Sequence, residues 1–212
     1  MDRVGVLEGL DEKLGGGFPR GSNILLIGPT GTGKTTFSMQ FLKKGVSSGE
    51  RCLYITTEKP PEVIRKALGN SVDIVDAYSW KVGGDAAIRQ ISDLNTFNIE
   101  ISKVLQAYGD KGRIVFDSPS SLFLYVPADL IIKFVAILTA KMRSKGFVNM
   151  LILEEGVQDE KQVTIINSLC DGMMQFRNQD GKKAMRVIRL EATQHYRDWV
   201  GFDVNEKGLT IQ

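Results

Sequence analysis

Cysteine and histidine are scarce in this chain of 212 residues, which contains two cysteines and one histidine. Cys52 and Cys170 lie far apart in sequence, so they predict neither a disulfide framework nor a cluster of metal ligands. Proteins that lack structural disulfides are typical of reducing compartments. The first ten residues include Asp2, Arg3 and Glu8, which a secretory signal would not contain. We therefore expect a cytoplasmic protein.

The chain also lacks a strong charge of one sign and a long apolar run. Its 27 basic and 25 acidic residues leave a net charge of +2, which gives no strong field for attracting nucleic acid or an anionic membrane. The longest apolar stretch, near residues 130–140, is interrupted by Lys133 and is too short to span a bilayer. Membrane insertion is therefore not expected.

Short apolar runs alternate with helical patterns along most of the chain, without an internal repeat or a linker. Apolar residues make up 42% and charged residues 25%, the balance of an ordinary globular domain. The patterns predict strands at residues 23–27, 52–57, 72–77, 113–117 and 148–153, and helices at 35–45, 60–68, 97–108 and 127–145.

The pattern changes after Asp171, where two hairpins are predicted, one with its turn near residues 177–183 and one near 205–208. Alternating strands and helices imply a parallel sheet with helices on both faces. The predicted fold is therefore α/β: a mainly parallel twisted sheet, helices on both faces, and antiparallel strands at the C-terminal end. We expect residues 1–212 to form one domain.

A glycine-rich loop, "GPTGTGKTT", follows the first long strand and precedes a helix. It has the pattern Gly, four residues, Gly, Lys, Ser/Thr, and its flanking strand and helix are the context that the motif requires. Backbone N–H groups of such a loop bind phosphate, the lysine reaches the β- and γ-phosphates, and the hydroxyl ligates Mg²⁺. The predicted nucleotide-binding residues are Gly28, Thr30, Gly31, Thr32, Gly33, Lys34, Thr35 and Thr36.

Asp117 is the candidate for a second magnesium residue beside Thr35. It ends the apolar run Ile114, Val115, Phe116, at the carboxyl end of a predicted strand. Open α/β sheets bind ligands at this edge. An aspartate after a strand is often only a turn or helix cap, but the phosphate loop favours the metal role.

Several segments together resemble the RecA superfamily of ATPases, on its KaiC-like archaeal branch. These are the lead-in "GLDEKLGGGFPRGS" at residues 9–22, the phosphate loop at the interval typical of that branch, "FDS" at 116–118, and "LCDGMMQF" at 169–176. The resemblance runs over nearly the whole chain. It implies a RecA-like fold, ATP with Mg²⁺, and assembly into a homo-oligomer such as a ring.

The resemblance also suggests a catalytic base after the second strand. KaiC-like proteins often carry Thr-x-Glu-Glu there, whereas this chain has "ITTEKP", so Glu58 matches the first acid and Lys59 replaces the second. A carboxylate beside the γ-phosphate can orient or deprotonate the attacking water. The alternative is a solvated glutamate at the start of the helix near Pro60.

Ring-forming relatives carry a Lys-x-Arg pair on a late strand and a histidine four residues later, which reach the nucleotide of the neighbouring subunit. In "RLEATQH", Arg189 matches the lysine and His195 the histidine, but Glu191 stands in place of the arginine. An acid near ATP phosphates would repel them. Either the contact with the neighbouring subunit is rearranged, with Arg197 as a substitute, or activation by the neighbour is weak or absent. The alternative is that Arg189 and Glu191 form the solvated face of an edge strand.

DNA binding is not expected, because the loops that bind single strands in RecA-type recombinases lack basic residues here. Residues 118–130 contain no Lys or Arg, and residues 154–162 contain four acids against Lys161. The basic hairpin around residues 177–189 is more typical of a solvated face.

Taken together, the sequence predicts a regulatory or signalling ATPase that binds Mg·ATP and hydrolyses it slowly. Two alternatives remain open at this point. One is an ATP-dependent interaction switch without hydrolysis, which Glu191 favours. The other is a DNA-repair accessory protein related to recombinases, which the acidic segment argues against.

Overall fold

A nine-stranded sheet is the central element of the computed structural model, which describes residues 2–83, 87–205 and 208–212. A separate two-stranded pair, β1 with β2, precedes it. The strands are β1 (Arg3–Val4), β2 (Phe18–Pro19), β3 (Asn23–Gly28), β4 (Arg51–Thr56), β5 (Val72–Asp76), β6 (Gly112–Asp117), β7 (Val148–Glu154), β8 (Gly172–Gln179), β9 (Lys182–Leu190), β10 (Val200–Asn205) and β11 (Gly208–Ile211).

The sheet order is β11-β10-β9-β8-β3-β7-β6-β4-β5. The six strands β8, β3, β7, β6, β4 and β5 are parallel to one another. The pairs β8–β9, β9–β10 and β10–β11 are antiparallel. This arrangement confirms the predicted α/β fold with antiparallel strands at the C-terminal end. The turn of the β10–β11 hairpin, predicted near residues 205–208, includes residues 206 and 207, which lie outside the described residues.

Helices cover both faces of the sheet because each buries one apolar side. One core contains Phe37 and Phe41 of the first helix with Phe176 of β8, and a second contains Phe97 and Ile131 with Phe116 of β6. No helix among the described residues combines the length and the apolar character needed to cross a bilayer. The helices are α1 (Lys34–Ser47), α2 (Pro61–Leu68), α3 (Leu94–Gln106), α4 (Ala128–Ser144) and α5 (Glu160–Ser168).

The predicted end of the first helix at Gly45 is wrong, since α1 continues to Ser47. Gly45 is buried, and a Cβ there would lie 2.5 Å from Cδ of Arg113 and 2.7 Å from Sγ of Cys52. The glycine therefore allows α1 to pack closely on the sheet instead of ending the helix.

The segment 154–162, expected to be a loop, contains the start of α5 at Glu160. Asp159 caps this helix: its carboxylate accepts from the N–H of Gln162 (2.7 Å), and the Gln162 side chain accepts from the N–H of Asp159 (3.1 Å). This reciprocal capping box is a start signal that the sequence contains. Two of the four acids thus belong to a helix start.

Candidate functional site

The glycine-rich loop joins β3 to α1 at the carboxyl edge of the sheet and lines a cleft of about 490 Å³. Gly33 has φ of 101°, a left-handed conformation that favours glycine, and immediately precedes α1. No side chain caps the start of α1, and its first residues, Lys34, Thr35 and Thr36, line the cleft. The cleft is lined by Thr30, Gly31, Thr32, Gly33, Lys34, Thr35, Thr36, Glu58, Lys59, Asp117, Glu154 and Lys183.

Lys34 is buried within the loop, with 4% of its surface exposed. Its ammonium group donates to the carbonyl oxygens of Gly28 (2.7 Å) and Pro29 (2.8 Å) and lies 3.2 Å from Oε2 of Glu154. Burial lowers the pKa of Lys34, while the charge of Glu154 opposes that shift. The loop thus holds one cation at the start of a helix, a combination suited to binding phosphate.

Thr35 and Asp117 are in direct contact, although they are far apart in sequence. The Thr35 hydroxyl donates to Oδ2 of Asp117 at 2.9 Å, and the hydroxyl of Tyr54 on β4 donates to the same oxygen. Burial raises the pKa of Asp117, and these two hydrogen bonds oppose the shift. Hydroxyl and carboxylate oxygens are the ligand types that Mg²⁺ prefers.

Glu58 lines the same cleft, just after β4, and is partly desolvated there although part of its surface stays exposed. Partial desolvation by the cleft walls raises the pKa of Glu58, and the like charge of Asp117 adds to the shift. The neighbouring Lys59 also lines the cleft. A carboxylate with a raised pKa is a candidate proton acceptor when a reactive group lies within reach.

Two cleft residues, Glu154 and Lys183, were not predicted from the sequence. Glu154 ends β7, the strand between β3 and β6, and its Oε2 accepts from the hydroxyl of Thr30 at 3.0 Å as well as contacting Lys34. Lys183 comes from β9, which the antiparallel hairpin brings to the cleft. Both residues are charged, but the sequence contains no signal for their positions in the sheet.

Arg189 and His195 do not line this cleft. All the other residues predicted for the site line it, with the exception of Gly28. The Arg189 guanidinium donates to the carbonyl oxygens of Asn167 (2.9 Å) and Cys170 (2.7 Å) and to Oε1 of Glu191 (2.6 Å). Arg189 therefore binds the C-terminal end of α5. Its side chain is half-buried, whereas the alternative interpretation expected it on a solvated face. The predicted contact of Arg189 and His195 with the nucleotide of a neighbouring subunit stays a prediction.

Parallel strands in the order β8-β3-β7-β6-β4, with a glycine-rich loop between the central β3 and its helix, define the chain as a RecA-type α/β protein. A family model described as "ATPase: KaiC" matches residues 4–212, so the chain belongs to the KaiC family of ATPases. This match confirms the resemblance found in the sequence.

Relatives of this chain come from bacteria and archaea. A UPF0273 protein of Thermotoga maritima is 26% identical, over 97% of this chain and 93% of its own. The circadian clock oscillator protein KaiC of Acaryochloris marina is 26% identical over 97% of this chain but only 42% of its own. The crystal structure of a KaiC-like protein from Pyrococcus horikoshii has the same fold, with a TM-score of 0.81 at 24% identity, covering 100% of this chain and 98% of that one.

Proposed function

We propose that residues 1–212 act as one RecA-like domain that binds Mg·ATP in the cleft and hydrolyses it slowly, as a regulatory or signalling ATPase. Membership of the KaiC family of ATPases supports ATP as the ligand of the cleft. The observation that carries the proposal is the convergence of Lys34, Thr35, Asp117 and Glu58 on one cleft from three separate segments of the chain.

The donor groups of the cleft fit a nucleotide with its magnesium ion. The loop offers N–H groups at the uncapped start of α1 and the ammonium group of Lys34 for the phosphates. Thr35 and Asp117 offer neighbouring oxygens for the metal. A magnesium ion held by these two residues would supply charge neutralisation on the phosphates. Lys34 would exchange its contacts with the loop carbonyls and Glu154 for contacts with phosphate oxygens.

Glu58 is the proposed base that orients the attacking water and accepts its proton. Its carboxylate faces the same cleft as the phosphate loop, and its raised pKa makes it a better acceptor than an ordinary surface glutamate. The alternative as a simple helix-start residue is less favoured, because α2 begins only at Pro61, beyond Lys59 and Pro60.

A second candidate function is an ATP-dependent interaction switch without hydrolysis. Lys59 lines the cleft where relatives often carry a second acid, and Glu191 is exposed where ring-forming relatives carry an arginine. An arginine supplied by a neighbouring subunit accelerates hydrolysis by ~10³ to 10⁵ where it has been measured. Its replacement by an acid would leave a slow enzyme or a switch.

Homo-oligomer formation is part of the proposal, with Arg189 and His195 directed toward the nucleotide of the neighbouring subunit. Because Arg189 also binds the end of α5, its position depends on that helix. A DNA-repair role is not proposed. Glu154 faces the phosphate loop and Asp159 caps α5, so the acidic segment has other roles than binding a nucleic acid.

Calorimetric titration with ATP and Mg²⁺ tests the binding site. Lys34→Ala should abolish ATP binding, because the loop then loses its buried cation beside the phosphates. Lys43→Ala is the matched control, since this exposed lysine lies on the same helix but does not line the cleft. Unchanged ATP affinity of Lys34→Ala would refute the site, as would equal losses in the two variants.

A further inference from the structure

Tyr54 is a completely buried tyrosine on β4 that contacts the candidate metal site from behind. Its exposed fraction is 0%, and its hydroxyl donates to Oδ2 of Asp117. The hydroxyl of Thr35, in the first turn of α1, donates to the same oxygen. Asp117, with 4% of its surface exposed, is therefore held by two hydroxyl donors from two different elements.

The sheet register explains how Tyr54 reaches this carboxylate. β4 and β6 are parallel neighbours, and Tyr54 pairs with Val115, two residues before Asp117. Residues two positions apart on a strand share one face of the sheet. Side chains from positions 54 and 117 consequently lie on the same face, that of α1, where the tyrosine ring packs in the apolar core.

We propose that Tyr54 is a positioning residue for the divalent metal, acting through the carboxylate of Asp117. The inference rests on the proposed function, in which Thr35 and Asp117 hold Mg²⁺. A carboxylate in a buried site needs donors that fix its orientation, and hydrogen bonds behind a metal ligand commonly change metal affinity. Tyr54 is such a donor, and Asp117 is the partner that the described residues provide for its hydroxyl group.

Tyr54→Phe tests this role, because it removes the hydroxyl and keeps the ring. The measured quantity is the Mg²⁺ concentration that gives half of the metal-dependent gain in affinity for a fluorescent ATP analogue. Loss of a group behind a metal ligand typically weakens metal binding by about 10- to 100-fold. The half-saturating Mg²⁺ concentration should rise by that factor, while analogue affinity in EDTA stays at the wild-type value.

Tyr108→Phe is the matched control for the loss of a buried tyrosine hydroxyl. Tyr108 is 5% exposed, and its hydroxyl donates to Oδ2 of Asp73 (2.8 Å) and to the carbonyl of Cys52 (2.9 Å). This contact also joins a tyrosine to an aspartate on the sheet, but it does not line the cleft. Tyr108→Phe should lower the melting temperature and leave the Mg²⁺ requirement unchanged.

A double-mutant comparison separates positioning from general weakening of the sheet. In an Asp117→Asn background, which already lacks the charged ligand, Tyr54→Phe should produce no further change in the Mg²⁺ requirement. This comparison also distinguishes positioning from partial unfolding, because a structural defect caused by Tyr54→Phe would appear in both backgrounds.

The outcomes distinguish this inference from the proposed function. A wild-type Mg²⁺ requirement in Tyr54→Phe overturns the role of Tyr54 and leaves Mg·ATP binding in place. The same conclusion follows if Tyr108→Phe raises the requirement equally. If the wild-type protein gains no affinity from Mg²⁺, the proposed function itself fails, and the role of Tyr54 fails with it.

Discussion

Removing the charge of Glu154 should strengthen ATP binding. In the cleft its Oε2 lies 3.2 Å from Nζ of Lys34 and accepts from the Thr30 hydroxyl at 3.0 Å. An entering phosphate group must compete with this carboxylate for Lys34 and is repelled by it. Glu154→Gln keeps the shape and an acceptor oxygen but removes both electrostatic effects.

The size of the effect follows from the geometry of the ion pair. Two unit charges 3.2 Å apart attract by about 5 kcal/mol at an effective dielectric constant of ~20, which is an upper bound. The Glu154 side chain is 27% exposed and that of Lys34 3%, so solvent screens part of this attraction. Fully exposed pairs are worth about 0.2 to 1 kcal/mol. An intermediate value of about 1 to 2 kcal/mol predicts roughly 5- to 30-fold tighter ATP binding.

The assay is calorimetric titration with ATP and Mg²⁺, together with the melting temperature of the nucleotide-free protein. Glu154→Gln should lower the melting temperature, because a buried cation loses its charged partner, and at the same time raise ATP affinity. Glu155→Gln is the control, since Glu155 is an exposed neighbour that does not line the cleft. Wild-type or weaker ATP affinity in Glu154→Gln would refute the competition for Lys34.

Three other predictions follow from the same structure. Because the pKa of Glu58 is raised by burial and by Asp117, turnover should increase with pH across the mildly acidic range as its carboxylate forms, and a flat pH–rate profile would exclude it as the base. Glu191→Arg should increase turnover with a steeper dependence on protein concentration, measured across a dilution series; slower turnover would mean that Glu191 belongs to a working interface. Burial raises the pKa of both Cys52 and Cys170 to about 12, so iodoacetamide should label neither at pH 8 unless urea is added, and rapid labelling of the folded protein would contradict the packing.

Local patterns in the sequence were sufficient for the parallel strands β3 to β7, the place of the glycine-rich loop and the position of Asp117, but not for the short strands β1 and β2. Continuous apolar runs identified β3, β6 and β7, and parallel strands place their carboxyl ends at one edge. This rule places Asp117 at the same edge of the sheet as the phosphate loop. Its contact with Thr35 also depends on the strand order, in which only β7 separates β3 from β6.

Glu154, Lys183 and Tyr54 could not be predicted, because their roles depend on which strands are neighbours. Glu154 contacts Lys34 only because β7 lies beside β3, and Tyr54 reaches Asp117 only because β4 lies beside β6. Gly45 was misinterpreted for a related reason: a glycine that ends a helix and one that permits close packing look the same in sequence.

Phosphate release measured for the wild-type protein and for Glu58→Gln tests the central claim most directly. Both proteins would be saturated with Mg·ATP, with binding checked by calorimetry and assembly by mass measurement in the same samples. The wild type should release more than one phosphate per chain, slowly, whereas Glu58→Gln should bind ATP normally and lose about 10²- to 10⁴-fold in rate. Full ATP binding by the wild type without phosphate release would contradict the ATPase and favour a switch, and equal rates in the two proteins would remove Glu58 from the reaction.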